Sequence, residues 1–466
     1  MIEVQLSQLA SVLNAELIGA DTSISAVSTD TRNIPSETLF IALKGERFDA
    51  HNFCQTAKDN GAKALLVSKR LSVDLPQLVV TDTRIALGKM GAWLKAEMTQ
   101  KHGLKTLALT GSCGKTTVKE MSAAILATKG NVLATAGNFN NDIGAPLTLL
   151  RLTPEYQYAV IELGANHQQE ISYTTNLVKP DVALINNLAA AHLEGFGSLK
   201  GVAKAKGEIF EGLSDGGIAI VNLDSNDLPL WQPLLAQHQV LTFSATATAT
   251  ATASDSDYHA EQININAQGL ACFTMCTPIG KVDVNLTLAG MHNVANALAA
   301  AALTISLGAT LAEVKAGLET MANVKGRLDI TEPRAGLRLI DDTYNASVAA
   351  VKAAIDVLAN FQGQRYFILG DMAELGDESD NLHREVGEYA QAKQLDCVMT
   401  FGRASAVVSE LNQGQHFTDK TALIALLKQQ LQQHFSQPDF EQVTVLVKGA
   451  RSSKMEDVIA ALQDDK

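Results

Sequence analysis

Aromatic side chains are scarce, 5% of the 466 residues, although apolar residues as a whole reach 46%. Such a chain must fill its core with aliphatic groups, which fits packed α/β layers, and its length leaves room for roughly three domains. Cysteine is also sparse: Cys54, Cys113, Cys272, Cys276 and Cys397 are odd in number and scattered. Only Cys272 and Cys276 are close, and they lack the neighbouring Cys or His that a zinc site needs. Free thiols in a reducing cytoplasm are expected. Positive charge is in deficit, with 37 Lys and Arg against 50 Asp and Glu, a net charge of −13. Dense Lys/Arg surfaces of the kind that bind nucleic acid are thereby excluded. An anionic substrate must instead be met by local pockets of N–H groups and a few cations. No apolar run approaches the roughly 18 residues of a membrane span, and Met-Ile-Glu-Val-Gln at the start has no signal-peptide pattern. With no coiled-coil pattern or obvious apolar interface, a cytoplasmic monomer is expected.

What is present is concentrated in Thr110-Gly-Ser-Cys-Gly-Lys-Thr-Thr117. It follows the apolar run Leu104 to Leu109, which reads as a buried strand, and precedes Val118 to Leu126, which has helical spacing. A strand turning through Gly111 and Gly114 into a helix aims successive N–H groups, among them those of Ser112 and Cys113, at one anion, usually a phosphate. Lys115 supplies charge at the β/γ-phosphates, Thr116 a hydroxyl for Mg²⁺, and Thr117 continues the loop. Leu109 stands where the general P-loop has its first glycine, so the motif is the shorter G-x-x-G-K-T-T. A Gly-Lys-Thr turn serving as plain punctuation is the bland alternative.

Alternating strand and helix patterns on either side predict an α/β protein of three domains. Residues 1–83 form a small N-terminal α/β domain, 84–325 a central P-loop-type parallel-sheet ATPase domain, and 326–466 a C-terminal Rossmann-like domain. In the central part the predicted elements include strands at Tyr158–Leu163, Asp181–Asn186 and Gly217–Val221, with a helix over Leu199–Leu213. The Ala-Thr repeat from Thr246 to Thr252 has no packing logic and reads as a surface-loop expansion. Predicted C-terminal strands end at Asp341-Asp342, Gly370-Asp371, Gly402-Arg403 and Lys448-Gly-Ala-Arg451. Ligands gather beyond such carboxyl ends, so a second half-site is expected there. Glu162, at a strand end beside the phosphate loop, stands where an oxygen ligand for Mg²⁺ belongs.

TGSCGKTTVKE resembles the ATP loop of the Mur ligases, the ATP-dependent amide-forming enzymes of peptidoglycan precursor synthesis, and the resemblance runs across nearly the whole chain. The trailing Val-Lys-Glu is similar to the branch that adds D-alanyl-D-alanine to UDP-N-acetylmuramoyl-tripeptide. The resemblance implies those two substrates, ATP and two Mg²⁺ ions. It implies UDP-sugar contacts from Thr31, Arg32, Lys44, Asp49 and His51, although Ala50 replaces a frequent glycine. It makes His192 a second-metal ligand or neighbour. It also implies that Lys206, otherwise a solvated lysine like Lys204, is carbamylated by CO₂ into a metal-binding carboxylate. Asn140 and Asn141 fall in a substrate-contacting loop. Asn296 inherits adenine recognition, with helix capping as its alternative. Arg327 matches the arginine that reaches the γ-phosphate, and Asp342 the residue that holds the ribose. Asn345, Ala346 and Ser347 line the amino-substrate pocket, followed by Val348 where relatives carry proline. Lys448 opens a Lys-Gly-Ala-Arg version of the family's Lys-Gly-Ser-Arg. Lys115, His192, Lys206 and Arg327 are the implied catalytic set. Alternatives are a sister ligase, a folylpolyglutamate synthetase-like ligase, or a nucleotide switch that ligates nothing. The Asp-Asn-Pro-Arg signature of the tripeptide-forming sister is absent from the chain.

Overall fold

The computed structural model describes residues 1–46, 48–190, 193–245, 256–322, 325–438 and 440–463. Within these, runs of Val, Ile, Leu and Ala buried on both faces assemble into parallel sheets, the arrangement expected when helices cover both sides. The largest sheet has nine strands, among them Lys105–Thr110, which is flanked in parallel by Tyr158–Glu162 and Val182–Ile185. The expected strand–helix alternation is therefore present, with boundaries moved by one to three residues. The helix after the phosphate loop spans Lys115–Ala127 and so starts three residues before Val118. Gly114, at φ +75°, turns the chain straight into it. The predicted helix over Leu199–Leu213 is α-helical only to Gly207, then tightens into a 3₁₀ segment, Glu208–Gly212.

One part of this sheet departs from the expected parallel pattern. Tyr258–Ile265, Leu270–Thr277 and Gly280–Ala289 form an antiparallel meander at its edge. These strands alternate buried and exposed positions, because one face packs on the core and the other meets water. The repeat at Thr246 to Thr252 lies outside the described residues.

Residues 16–79 carry a five-stranded sheet, mostly parallel. The C-terminal sheet has six strands in the order 329–334, 337–342, 443–448, 364–370, 397–401, 415–417. Val443–Lys448 lies between Leu337–Asp342 and Gln364–Gly370 in parallel register, so Asp342 and Lys448 finish side by side. Among the described residues, no helix is long and apolar enough to cross a membrane.

Candidate functional site

A cavity of about 330 Å³ opens where the carboxyl ends of the nine- and six-stranded sheets face each other. The phosphate loop forms one wall through Ser112, Cys113, Gly114 and Thr117; Arg327, Asp342, Asn345, Ala346, Ser347 and Lys448 form the other. Asn296 lines it from the helix His292–Ser306. Residues more than 200 positions apart meet here: Arg327 donates through a terminal guanidinium nitrogen to Thr116 Oγ1 (3.2 Å), and Cys113 Sγ lies 3.1 Å from Ser347 Oγ.

The loop is shaped for a large anion. Gly111 has φ +152°, and a Cβ on Gly114 would lie 2.6 Å from Asn296 Oδ1 and 2.7 Å from Asn186 Nδ2. A side chain at either glycine would press on the asparagines packed against the loop and distort it. Lys115 Nζ donates to the loop's own Gly111 carbonyl at 2.8 Å. Burial pushes its pKa down, Glu162 opposes this, and Arg327 adds to the lowering. Arg327 stacks on Tyr344 at 4.2 Å, and its buried Nε has no hydrogen-bond partner. A cationic fork with an unpartnered buried donor, facing a glycine cradle and a lysine, fits the terminal phosphates of a nucleotide.

Beside the loop is a set of oxygens. Glu162 accepts from Thr116 Oγ1 (3.0 Å) and Asn140 Nδ2 (2.8 Å). Its backbone N–H donates to Thr135 Oγ1, and the buried Lys119 holds the Thr135 carbonyl at 2.7 Å. Hydroxyl and carboxylate oxygens side by side are a hard donor set, and they fit Mg²⁺. Lys206 is 1% exposed while Lys204 is exposed, so the helix buries the lysine that composition alone would leave in water. Burial, followed by repulsion from Lys115, brings its pKa down to about 7. As an ammonium it cannot ligate a cation; as a carbamate it supplies oxygens of the same hard type. His192 lies outside the described residues.

Residues 109–304 match the Mur ligase middle domain, and residues 326–451 match the Mur ligase, glutamate ligase domain. The chain belongs to the Mur ligase family. It is 54% identical over 466 residues to the UDP-N-acetylmuramoyl-tripeptide–D-alanyl-D-alanine ligase of Escherichia coli (strain K12), covering 100% of this chain and 99% of that protein. Its fold superposes on MurF from Acinetobacter baumannii with a TM-score of 0.92 at 37% identity, covering 100% of both chains. MurF ligase from Thermotoga maritima, solved in complex with ADP, superposes at 0.79 with 25% identity, covering 94% of this chain and 97% of that one.

Several expected site residues of this Mur ligase are engaged within the chain. Asp342 forms a buried ion pair with Lys448, which also donates to the Asn345 carbonyl at 2.9 Å. Asn141 Oδ1 accepts from Gly144 N (2.8 Å), the first residue of the helix Gly144–Leu149. Asn296 accepts from Asn186 Nδ2 (3.0 Å) and donates to Asn293 Oδ1 (2.8 Å), leaving it bridged between two elements. None of the five N-terminal residues lines the cavity. Arg32 makes a two-pronged pair with Asp30 and is 88% exposed. The Thr31 carbonyl accepts from Asn60 Nδ2 (2.7 Å), and Lys44 and Asp49 face each other as an isolated bridge. His51 is buried, with Nδ1 2.6 Å from Asp49 Oδ1 and Nε2 accepting from Ser68 N at 2.9 Å. Both of its ring nitrogens are thus used inside the fold.

Sequence reasoning missed two asparagines that shape the loop of this Mur ligase. Asn187 Oδ1 accepts from Cys113 N (2.8 Å), and Asn186 and Asn187 both donate to the Cys113 carbonyl (3.0 Å each). Their signal was position: both directly follow Val182–Ile185, the strand next to the loop strand. Away from the cavity, cross-strand pairing sets His259 opposite Cys276 with Glu261 nearby, neighbours that sequence spacing did not reveal. There the Lys281 ammonium bonds Glu261 at 2.8 and 2.9 Å, placing a positive charge where a cation would sit.

Proposed function

We propose that this Mur ligase joins D-alanyl-D-alanine to UDP-N-acetylmuramoyl-tripeptide, converting ATP to ADP and phosphate, as a cytoplasmic monomer. The observation that carries the reading is the full-length likeness to the Escherichia coli enzyme of that name. We assign UDP-sugar binding to residues 1–83, ATP to 84–325, and the amino substrate with the ribose contacts to 326–466.

A carboxylate is a poor acyl donor because oxide would have to leave. One carboxylate oxygen of the tripeptide attacks the γ-phosphorus of ATP, ADP departs, and the resulting acyl phosphate has a good leaving group. The dipeptide amine then adds to the acyl carbon, loses a proton, and phosphate is expelled from the tetrahedral intermediate. No protein nucleophile is required, so positioning and charge neutralisation carry the catalysis.

In this reading Lys115 leaves the Gly111 carbonyl to meet the β/γ-phosphates, while Gly111, Ser112, Cys113, Gly114 and Thr117 cradle them. Arg327 meets the γ-phosphate through the guanidinium that now touches Thr116. Asn296 faces the adenine and Asp342 the ribose, while Asn345, Ala346, Ser347 and Lys448 border the amino substrate. Thr116 and Glu162 would hold one Mg²⁺, and His192 with carbamylated Lys206 a second; bound there, the ions neutralise phosphate charge. Asn140 orients the Glu162 carboxylate, and Asn141 fixes the loop next to it. Thr31, Arg32, Lys44, Asp49 and His51 remain the UDP-sugar set, with His51 shaping the loop from inside. Burial of Lys206, with its pKa drawn down to about 7, supports carbamylation, because only the neutral amine adds to CO₂.

The test is phosphate release with ATP and Mg²⁺, supplying UDP-muramoyl-tripeptide and D-alanyl-D-alanine separately and together. Release only with both, and a product heavier by the dipeptide, is expected. Turnover with a different amino acid or a folate in place of the dipeptide overturns the substrate assignment.

A further inference from the structure

After the strand Gln364–Gly370 the chain makes a short excursion, Asp371 to Leu375, before the turn Gly376–Glu378 and the helix Ser379–Ala392. Its first residue is tied down firmly. The Asp371 carboxylate accepts from the backbone N–H groups of Arg403 (2.8 Å), Ala404 (3.1 Å) and Ser405 (2.8 Å), and its carbonyl accepts from Ala450 N (2.9 Å). Further on, Ala373, Glu374 and Leu375 line the cavity between the two sheets. The Glu374 carbonyl also accepts from Glu194 N at 3.5 Å, at the short helix Leu193–Phe196. Phe196 of that helix lies 5.5 Å from Lys206 Nζ. The excursion is thus at once a cavity wall and a contact between the C-terminal sheet and the metal-site region.

One side chain holds its middle. His383 is fully buried, and its Nε2 accepts from Met372 N at 3.0 Å. An acceptor at Nε2 must keep its lone pair, so in the neutral ring the proton sits on Nδ1. Nδ1 lies 2.7 Å from the Ser379 carbonyl, the acceptor that this tautomer requires. Met372 itself is 3% exposed, so without His383 its N–H would be buried and unpaired.

We propose that His383 is a positioning residue for the nucleotide site: through Met372 it fixes the wall formed by Ala373, Glu374 and Leu375. It touches no reacting atom. The inference rests on the ligase reading above in taking the cavity to be the ATP site.

Two polar variants separate the two bonds of the ring. Asn at 383 keeps a donor for the Ser379 carbonyl but is too short to reach Met372 N; Gln carries an acceptor to the Nε2 position. Affinities of the full chain for a non-hydrolysable ATP analogue and for UDP-muramoyl-tripeptide are measured separately by calorimetry, with thermal melts to confirm folding. His383→Asn is expected to weaken the analogue about tenfold, the effect of one unsatisfied buried N–H. His383→Gln should stay within about twofold of wild type, and UDP-tripeptide affinity should hold in both. Wild-type nucleotide affinity in His383→Asn, or parallel loss of both ligands, overturns the proposal. If His383→Asn does not fold, His383→Gln decides: unchanged nucleotide affinity upholds the role, and weakened affinity in a folded protein overturns it. Wild-type enzyme assayed with the dipeptide separates the two claims. Ligation by wild type with an unaffected His383→Asn sinks only the positioning role, whereas no ligation by wild type sinks the substrate reading alone.

Discussion

Lys206 shows how much a single residue's surroundings can change its chemistry. Buried and facing the charge of Lys115, it has a folded pKa of about 7 against an ordinary 10.5. Between those values the unfolded chain binds the proton that the folded chain has released, so stability must rise with pH across that window. In CO₂-free buffer, wild type should therefore gain stability relative to Lys206→Met between pH 7 and about 9, by up to about 1.4 kcal/mol per pH unit. Urea titrations at several pH values measure this, and a flat difference would show that the lysine keeps its charge. With CO₂ present, Lys206→Ala should lose ligation, and a small carboxylate such as acetate should partly restore it. Full activity in the alanine variant removes Lys206 from the mechanism. In the proposed mechanism Lys115 acts through charge on the phosphates, so Lys115→Ala should raise the barrier by about 3–4 kcal/mol while the melting curve stays in place. Near-wild-type phosphate release in that variant would falsify the phosphate-loop assignment.

At the scale of elements, the phosphate loop owes its form to its neighbours as well as to its glycines. The loop strand lies between Tyr158–Glu162 and Val182–Ile185, so the residues leaving both partners, Glu162 on one side and Asn186-Asn187 on the other, necessarily border it. Gly114 sits at φ +75° with Asn296 and Asn186 closing over the place a Cβ would take. Gly114→Ala should thus cost about 1–3 kcal/mol in folding stability through backbone strain alone. It should also abolish nucleotide binding, read by calorimetry with an ATP analogue. Retained binding would mean that the loop can rebuild around a side chain. The strand, turn and helix were legible because apolar run, glycines and helical spacing follow one another in the chain. The antiparallel meander was not, since strands 258–289 face water on one side and lack the continuous apolar runs of the parallel core.

Across the whole molecule, the cavity belongs to neither large sheet alone. Arg327 and Thr116 meet across it, as do Ser347 and Cys113. A nucleotide held by both walls should stabilise the folded chain by about 2.7 kcal/mol at a hundredfold excess over its dissociation constant. The corresponding rise in melting temperature should shrink in Arg327→Ala, which keeps the loop but loses the opposite wall. An equal rise in both proteins would place the nucleotide on the central sheet alone.

Local order in the chain settled a good deal by itself. Continuous aliphatic runs alternating with helical stretches dictated parallel α/β layers, and the run from Leu104 to Leu126 dictated a strand that turns through glycines into a helix, because each requires only neighbours in sequence. Family likeness could point to Lys206, Asp342 and Lys448, but not to their state. Tertiary structure decided that Lys206 is buried while Lys204 is exposed, and that Asp342 and Lys448 pair through adjacent strand ends. It also decided that His51 is used up inside its own fold, and that Asn186 and Asn187 brace the loop. Burial, strand order and partner choice depend on residues far apart in the chain, and they set the charge and hydrogen bonding of each site residue.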